Sequence, residues 1–232
     1  MNEKIKLAFT GGDIIAPFEN DIVCKKIRNN QVFELLTTGF ISGFLSGHSN
    51  PFTFVDIGAH IGYFSSLVAH IRKDVRIIAF EPHIENFAVL KENLYFSNNV
   101  DIFNAGILPI SATKKIYFNE EDFSSSSIDP TSLPPCNIKT QEAKFYKFDE
   151  ILTKRTIQDI KLIKIDVQAV EKEIFFHVFP LLPLNCTIIC EQWENLNNDL
   201  EKFVNDDYRG NIPFYMFRTI FDNNLIMVKT EL

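Results

Sequence analysis

Apolar and polar positions along the chain change period at a few places, and those changes mark out the elements. Phe52 to Ile57 is a short, apolar, β-branched run, which predicts a strand buried on both faces. From Ile61 the period lengthens: Ile61, Phe64, Leu67, Val68 and Ile71 fall at helical spacing and predict a single apolar stripe. The run V-R-I-I-A-F then reads as a second strand, ended by Glu81 and Pro82. Ile84, Phe87, Ala88, Leu90 and Leu94 predict a second helix that stops at Ser97, Asn98 and Asn99, and Val100 to Phe103 is the next strand. Ile160 to Ile165 and Thr187 to Glu191 read as core strands separated by a helix through Glu171, Ile174, Phe175 and Val178. Phe214 to Ile220 and Leu225 to Val228, joined through Asp222, Asn223 and Asn224, carry a hairpin signal. Ahead of all this, Gln31 to Leu45 reads as a helix capping the open end of the sheet. Strands alternating with helices predict an α/β fold built on a mostly parallel sheet. Residues 1–50 form an N-terminal cap segment and 51–232 the main domain, together one globular unit.

Lys114 to Phe118 and Ala143 to Phe148 alternate as strands do, but Asn119 to Glu142 between them holds four consecutive serines, Ser124 to Ser127, and Pro130, Pro134 and Pro135. A connection of this length reads as a mobile substrate lid. Composition narrows the function class. At 232 residues, 46% of them hydrophobic, the chain can bury one full core. A net charge of −7 argues against an extended phosphate-binding surface, so no nucleic-acid partner is expected. The four cysteines form no C-x-x-C, and Cys186 and Cys190 share one face of a core strand, which points to a reducing, cytoplasmic setting without structural zinc. No export signal is visible and no run of about 18 apolar residues occurs, so no membrane span is expected.

The candidate chemistry sits at the turn after the first core strand, bracketed by Gly58 and Gly62. A phosphate loop would require Lys and Ser or Thr after its last glycine, and here Tyr63 and Phe64 follow Gly62. A dinucleotide fingerprint would require glycine where His60 and Tyr63 stand. What remains is D-x-G-x-x-x-G, from Asp56, Gly58 and Gly62, with an acid, Glu81, at the end of the next strand. That pattern suits S-adenosyl-L-methionine, which has a ribose diol, a sulfonium and an amino group but no phosphate. Glu81 is placed to accept from both ribose hydroxyls, and Asp56 to meet the cationic part.

The segments V-D-I-G-A-H-I-G-Y (Val55 to Tyr63), A-F-E-P (Ala79 to Pro82), L-K-E-N-L (Leu90 to Leu94) and L-I-K-I-D-V (Leu162 to Val167) resemble the FkbM-type family of methyltransferases over Val55 to Glu191. The resemblance implies a class I methyltransferase (Rossmann-like) fold, with a mostly parallel seven-stranded sheet ending in an antiparallel hairpin. It also implies methyl transfer from S-adenosyl-L-methionine, usually to a hydroxyl of a sugar, polysaccharide or polyketide. Two departures stand out: His60 replaces a usual Asn, and Asp166 to Glu171 reads D-V-Q-A-V-E where the family has D-V-E-G-A-E. The implied cofactor contacts are Asp56, Gly58, His60, Gly62, Glu81, Pro82, Asn104 and Asp166, with Asn104 placed by position at the adenine ring. Glu34 falls where family members often carry a glutamate. For an alcohol acceptor the candidate proton acceptors are His60, His83 and Asp166, and we take Asp166 and His60 as the catalytic pair. Asp166 and Glu191 end neighbouring strands and could hold a sugar, a cation or each other; no metal is assigned. O-methylation of a sugar, glycan or small hydroxylated metabolite leads. A nucleic-acid or protein methyltransferase, and a non-catalytic relative, are the alternatives.

Overall fold

The computed structural model describes residues 4–120, 122–133, 137–191, 222 and 224–229. A hairpin of β1 (Lys4–Lys6) and β2 (Asp13–Ile15) leads into helices α1 (Ile22–Asn30) and α2 (Leu35–Gly47). The core follows as β3 (Thr53–Ile57), α3 (Tyr63–Ile71), β4 (Arg76–Phe80), α4 (Ile84–Leu94) and β5 (Val100–Phe103). After a second sheet come α5 (Phe148–Ile151), α6 (Lys154–Gln158), β10 (Ile160–Ile165), α7 (Glu171–Val178), β11 (Cys186–Glu191) and β12 (Asn224–Lys229). The main sheet runs β12-β11-β10-β3-β4-β5, with β12 antiparallel to β11 and every other pair parallel. Chain direction across the sheet therefore reverses between β3 and β10, and the crevice at their carboxyl ends is where such sheets bind ligands.

Six strands of the main sheet are present among the described residues. The strand expected at Phe214 to Ile220 lies outside them. The expected Leu225 to Val228 strand is found as β12.

Both faces of the sheet are dry, which is why its strands read as nearly continuous apolar runs. Val55, Ile57, Ile163, Ile165, Ile188 and Cys190 point to one face with Phe175 and Phe179. Phe54, Ile77, Ala79, Leu162 and Ile189 point to the other. Leu7, Ile14, Cys24, Ile27, Ile41 and Leu45 belong to that second core, so β2, α1 and α2 are packed into it. Only Asp56 and Lys164 interrupt this face within β3 and β10, and they are direct cross-strand partners. Lys229 of β12 is nearly buried and donates to the carbonyls of Phe179, Pro180 and Leu182.

Three sequence expectations need correction. The helix read over Gln31 to Leu45 starts later and follows a separate helix: α1 ends before the left-handed Gln31 (φ 58°), and α2 runs from Leu35 to Gly47. The separate helix escaped notice because only Cys24 and Ile27 of α1 are buried, too few to give a stripe. The stretch read as a lid is partly strand. β7 (Ala112–Asn119), β8 (Asp122–Ser127) and β9 (Ile138–Tyr146) join β6 (Gly106–Ile107) in a second sheet of order β6-β9-β7-β8. Serine-rich composition suggested a loop, but β7 supplies the ladder for β8, and Phe123 anchors it against Phe18, Phe118 and His83. Phe148 starts α5 rather than ending a strand.

Candidate functional site

The glycine turn is shaped by two close approaches. Gly58 has φ +83°, and a Cβ there would lie 1.8 Å from the carbonyl oxygen of Asp166. Its amide and that of Ala59 bond the carbonyl of Phe80 at 3.0 and 2.9 Å, while the amide of Asp166 bonds Ile57 at 3.0 Å. The ends of β3, β4 and β10 are thus drawn together at a point where any side chain would intrude. Gly62, also at φ +83°, caps α3 and would put a Cβ 2.5 Å from Leu90 Cδ1. Asn93, nearly buried on α4, ties this turn to the N-terminal hairpin. Its side chain donates to the carbonyls of Ile15 (2.9 Å) and Ile61 (2.8 Å) and accepts from the amide of Ile15 at 2.7 Å.

Above these strand ends lies a cavity of about 900 Å³, lined by Asp56, Gly58, His60, Glu81, Pro82, Lys164 and Asp166 among others. That is the upper part of the usual range for small-molecule sites. Glu81 is held by backbone: the amide of His60 donates to Oε2 and that of His83 to Oε1, each at 2.9 Å. Burial pushes its carboxyl up, while the His60 ring and these amides favour the ionised form. Pinned in this way, the carboxylate has lone pairs left for a diol. Asp56 is buried, accepts from Ser65 Oγ at 2.7 Å and is raised by that burial.

Lys164, which the pattern reading passed over, is the electrostatic centre. It is 1% exposed, pairs with Asp166 and lies 4.8 Å from the centroid of the Phe64 ring. Burial opposes its charge, but Asp166, Glu34 and Asp56 together hold the ammonium above its ordinary value. In turn Lys164 outweighs desolvation at Asp166 and keeps that carboxyl below the usual range. The signal was present in I-K-L-I-K-I-D: a charge inside a strand dry on both faces requires a partner.

Glu34 reaches the cavity from the residue before α2, with its side chain bonded by Asn224 Nδ2 at 2.9 Å. Asp222 caps α2, accepting from the amides of Leu36 (3.0 Å) and Thr37 (3.2 Å).

On the far side, Glu191 is pushed up to about 9, first by burial and then by the charges of Asp166 and Glu171. It keeps a proton at neutral pH, shares it with Asp166 and accepts from Gln168 Nε2 at 3.2 Å. Of the three possibilities for the strand-end acids, holding each other is the one this geometry favours. Asp166, Glu171 and Glu191 offer oxygens within 4.8 Å of one another, a donor set that a hard cation could use, and Gln168 Nε2 donates to one of the Glu191 oxygens. Ser124 to Ser127 line the same side, and Ser127 Oγ donates to the carbonyl of Gln168 at 2.8 Å.

Several expected residues are placed differently. Asn104 is not part of the cavity lining; its amide donates to the carbonyls of Glu81 (3.0 Å) and Pro82 (3.2 Å) and so positions the β4 loop. Gly62 also lies outside the lining and acts through packing on Leu90. His83 is buried between Phe118 and Phe123, with burial lowering it to about 4, so it is neutral, and it does not line the cavity. His60 lines the cavity, but its Nε2 contacts Asp21 Oδ2 at 3.1 Å. Burial opposes the imidazolium, yet Asp21, Glu81 and Asp166 outweigh it and raise the ring above its ordinary value, which argues against His60 as a proton acceptor.

Among the described residues no helix is long and apolar enough to cross a membrane. The structural neighbours are class I methyltransferases with an α/β fold and a mixed sheet. A Clostridium thermocellum protein provisionally named an rRNA methylase superposes with a TM-score of 0.51 at 12% identity, over 87% of this chain and 98% of its own. A Staphylococcus aureus protein provisionally named a caffeoyl-CoA O-methyltransferase gives 0.50 at 15% identity, over 91% and 92%. At such identities the likeness shows the fold alone. No match to a curated protein sequence was found. The family model for the methyltransferase FkbM domain matches residues 56–203, from Asp56 of the glycine turn past both strand-end acids, and the chain belongs to that family.

Proposed function

We propose that the protein is an S-adenosyl-L-methionine-dependent O-methyltransferase acting on an uncharged hydroxylated acceptor such as a sugar, glycan or small polyol. The observation that carries the reading is Glu81, fixed by two backbone amides at the end of β4 and lining the cavity beside the side-chain-free turn at Gly58. The donor would supply a methyl group activated by a sulfonium. Glu81 would hold the ribose, Gly58 would admit the donor close to the backbone, and Asp56 and Asp166 would face its cationic part.

The acceptor class rests on the other wall. Asp166, held low by Lys164, is a weak base and serves as a hydrogen-bond acceptor that orients the attacking hydroxyl. A protonated Glu191, the amide of Gln168 and the serines of β8 give a neutral, hydrogen-bonding surface suited to an alcohol. In-line displacement requires chiefly alignment and exclusion of water, so a strong base is dispensable. Methylation of nucleic acid is disfavoured by the net charge of −7.

Isothermal titration with S-adenosylhomocysteine tests the foundation. Glu81→Gln should weaken binding by about 1.5 to 3 kcal/mol, the scale of hydrogen bonds to a charged group. Unchanged affinity in a folded variant would remove the reading. A methyl-transfer screen over neutral sugars and polyols, with cationic amines as controls, then tests the acceptor class.

A further inference from the structure

His60 and Asp21 make a contact that the proposed transfer does not require. Asp21 is 0% exposed and its carboxylate has two tasks. Oδ1 accepts from the amide of Cys24 at 2.8 Å, capping α1, and Oδ2 meets His60 Nε2 at 3.1 Å. The other ring nitrogen of His60, Nδ1, is buried and has no partner among the described residues, although the residue lines the cavity. A buried, unpaired polar atom at a cavity wall is a place where a ligand group is expected.

Charge identifies that group. The donor carries an ammonium, a sulfonium and one anion, the carboxylate of its methionine tail. The cavity supplies acids freely, with Asp56, Glu81 and Asp166 among them, but few cations. Lys164 is engaged by Asp166, Asp56 and Glu34. Lys26 is exposed, over the ring of Phe33. His60 is the cation with a donor to spare, because an imidazolium donates from both nitrogens.

We propose that Asp21 locks the imidazole of His60 so that Nδ1–H receives the carboxylate of the donor's methionine tail, making α1 part of the cofactor site. This rests on the reading of the cavity as an S-adenosyl-L-methionine site. The groups that act on His60 are Asp21 before α1, Glu81 and His83 after β4, and Asp166 after β10. Three of them are acids and favour the imidazolium. Asp21 is a positioning residue here, since it reaches the ligand only through the ring.

Titrations of the full chain with S-adenosylhomocysteine and with 5′-methylthioadenosine, which lacks the tail, separate the outcomes between pH 6 and 8.5. Asp21→Ser keeps a capping oxygen for α1 but removes the charge behind His60. It should weaken S-adenosylhomocysteine about tenfold at pH 7.5, with affinity recovering toward pH 6, while leaving 5′-methylthioadenosine unchanged; each unit by which the ring falls corresponds to a factor of ten. His60→Asn should abolish the pH dependence in this window. Equal weakening of both ligands by Asp21→Ser, or an unaltered pH profile, would overturn the proposal. If neither ligand binds the parent protein, the cofactor reading fails first.

Discussion

Replacing Lys164 with Met removes a buried ammonium at the strand ends while keeping most of its length. Lys164 is 1% exposed, and Asp166, Asp56 and Glu34 all act on it. At an effective dielectric of about 20, opposite charges 4 Å apart attract by about 4 kcal/mol. Removing one partner of a buried pair costs about 3 to 5 kcal/mol, because the other charge is left without compensation. We expect that loss at pH 7.5 in urea unfolding followed by far-UV circular dichroism, a large share of a typical domain's 5 to 15 kcal/mol. The pH dependence checks the cause. In the parent, Asp166 lies below its unfolded value, so its contribution is present above about pH 4 and lost only as the pH falls through the lower folded value. Without Lys164, Asp166 rises above its unfolded value while Asp56 and Glu34, already raised by burial, rise further, and such groups destabilise until the pH falls through the raised value. The stability gap between parent and variant should therefore narrow from pH 7.5 to pH 5.5. A gap of the same size at both values, or a variant as stable as the parent at pH 7.5, would refute the assignment of Lys164 as the counterion of this cluster.

Asp166→Asn should lower turnover tenfold or more, about 1.4 kcal/mol of transition-state stabilisation; full activity with a neutral acceptor would leave Asp166 a structural partner of Lys164. Gly58→Ala should lose both stability and cofactor binding, because the added carbon would meet the Asp166 carbonyl at 1.8 Å and the φ of +83° is unfavourable for alanine. Thermal unfolding and titration with S-adenosylhomocysteine measure the two effects, and a variant that binds like the parent would show that β3 and β10 can part at this point.

The unit from β3 to β4 was legible because strands dry on both faces leave little ambiguity, and because turn glycines and a strand-end acid are local signals. Glu81 and Gly58 occupy the places their spacing suggested. What the pattern did not show depends on partners distant in the chain. Asp21, ahead of a helix that the pattern did not reveal, is tied to the glycine turn only when the fold brings His60 to it. Asn93 sits in a recognised segment, but its three bonds reach to Ile15 and Ile61. β8 is a strand only because β7 lies beside it. Asn104 shows the opposite failure: position alone put it against the ligand, while its amide is used to hold the carbonyls of Glu81 and Pro82.

The union of Glu34 with Asn224, and of α2 with Asp222, has a consequence for biosynthesis. Glu34 and the start of α2 contribute a wall of the cavity, yet the groups that fasten that wall follow them by 185 to 190 residues. A chain still emerging from the ribosome can assemble the glycine turn, Glu81 and Asp166 while α2 lacks its cap and Glu34 its amide partner. Completion of the cavity wall then waits until Asp222 and Asn224 have been made and have reached α2 and Glu34.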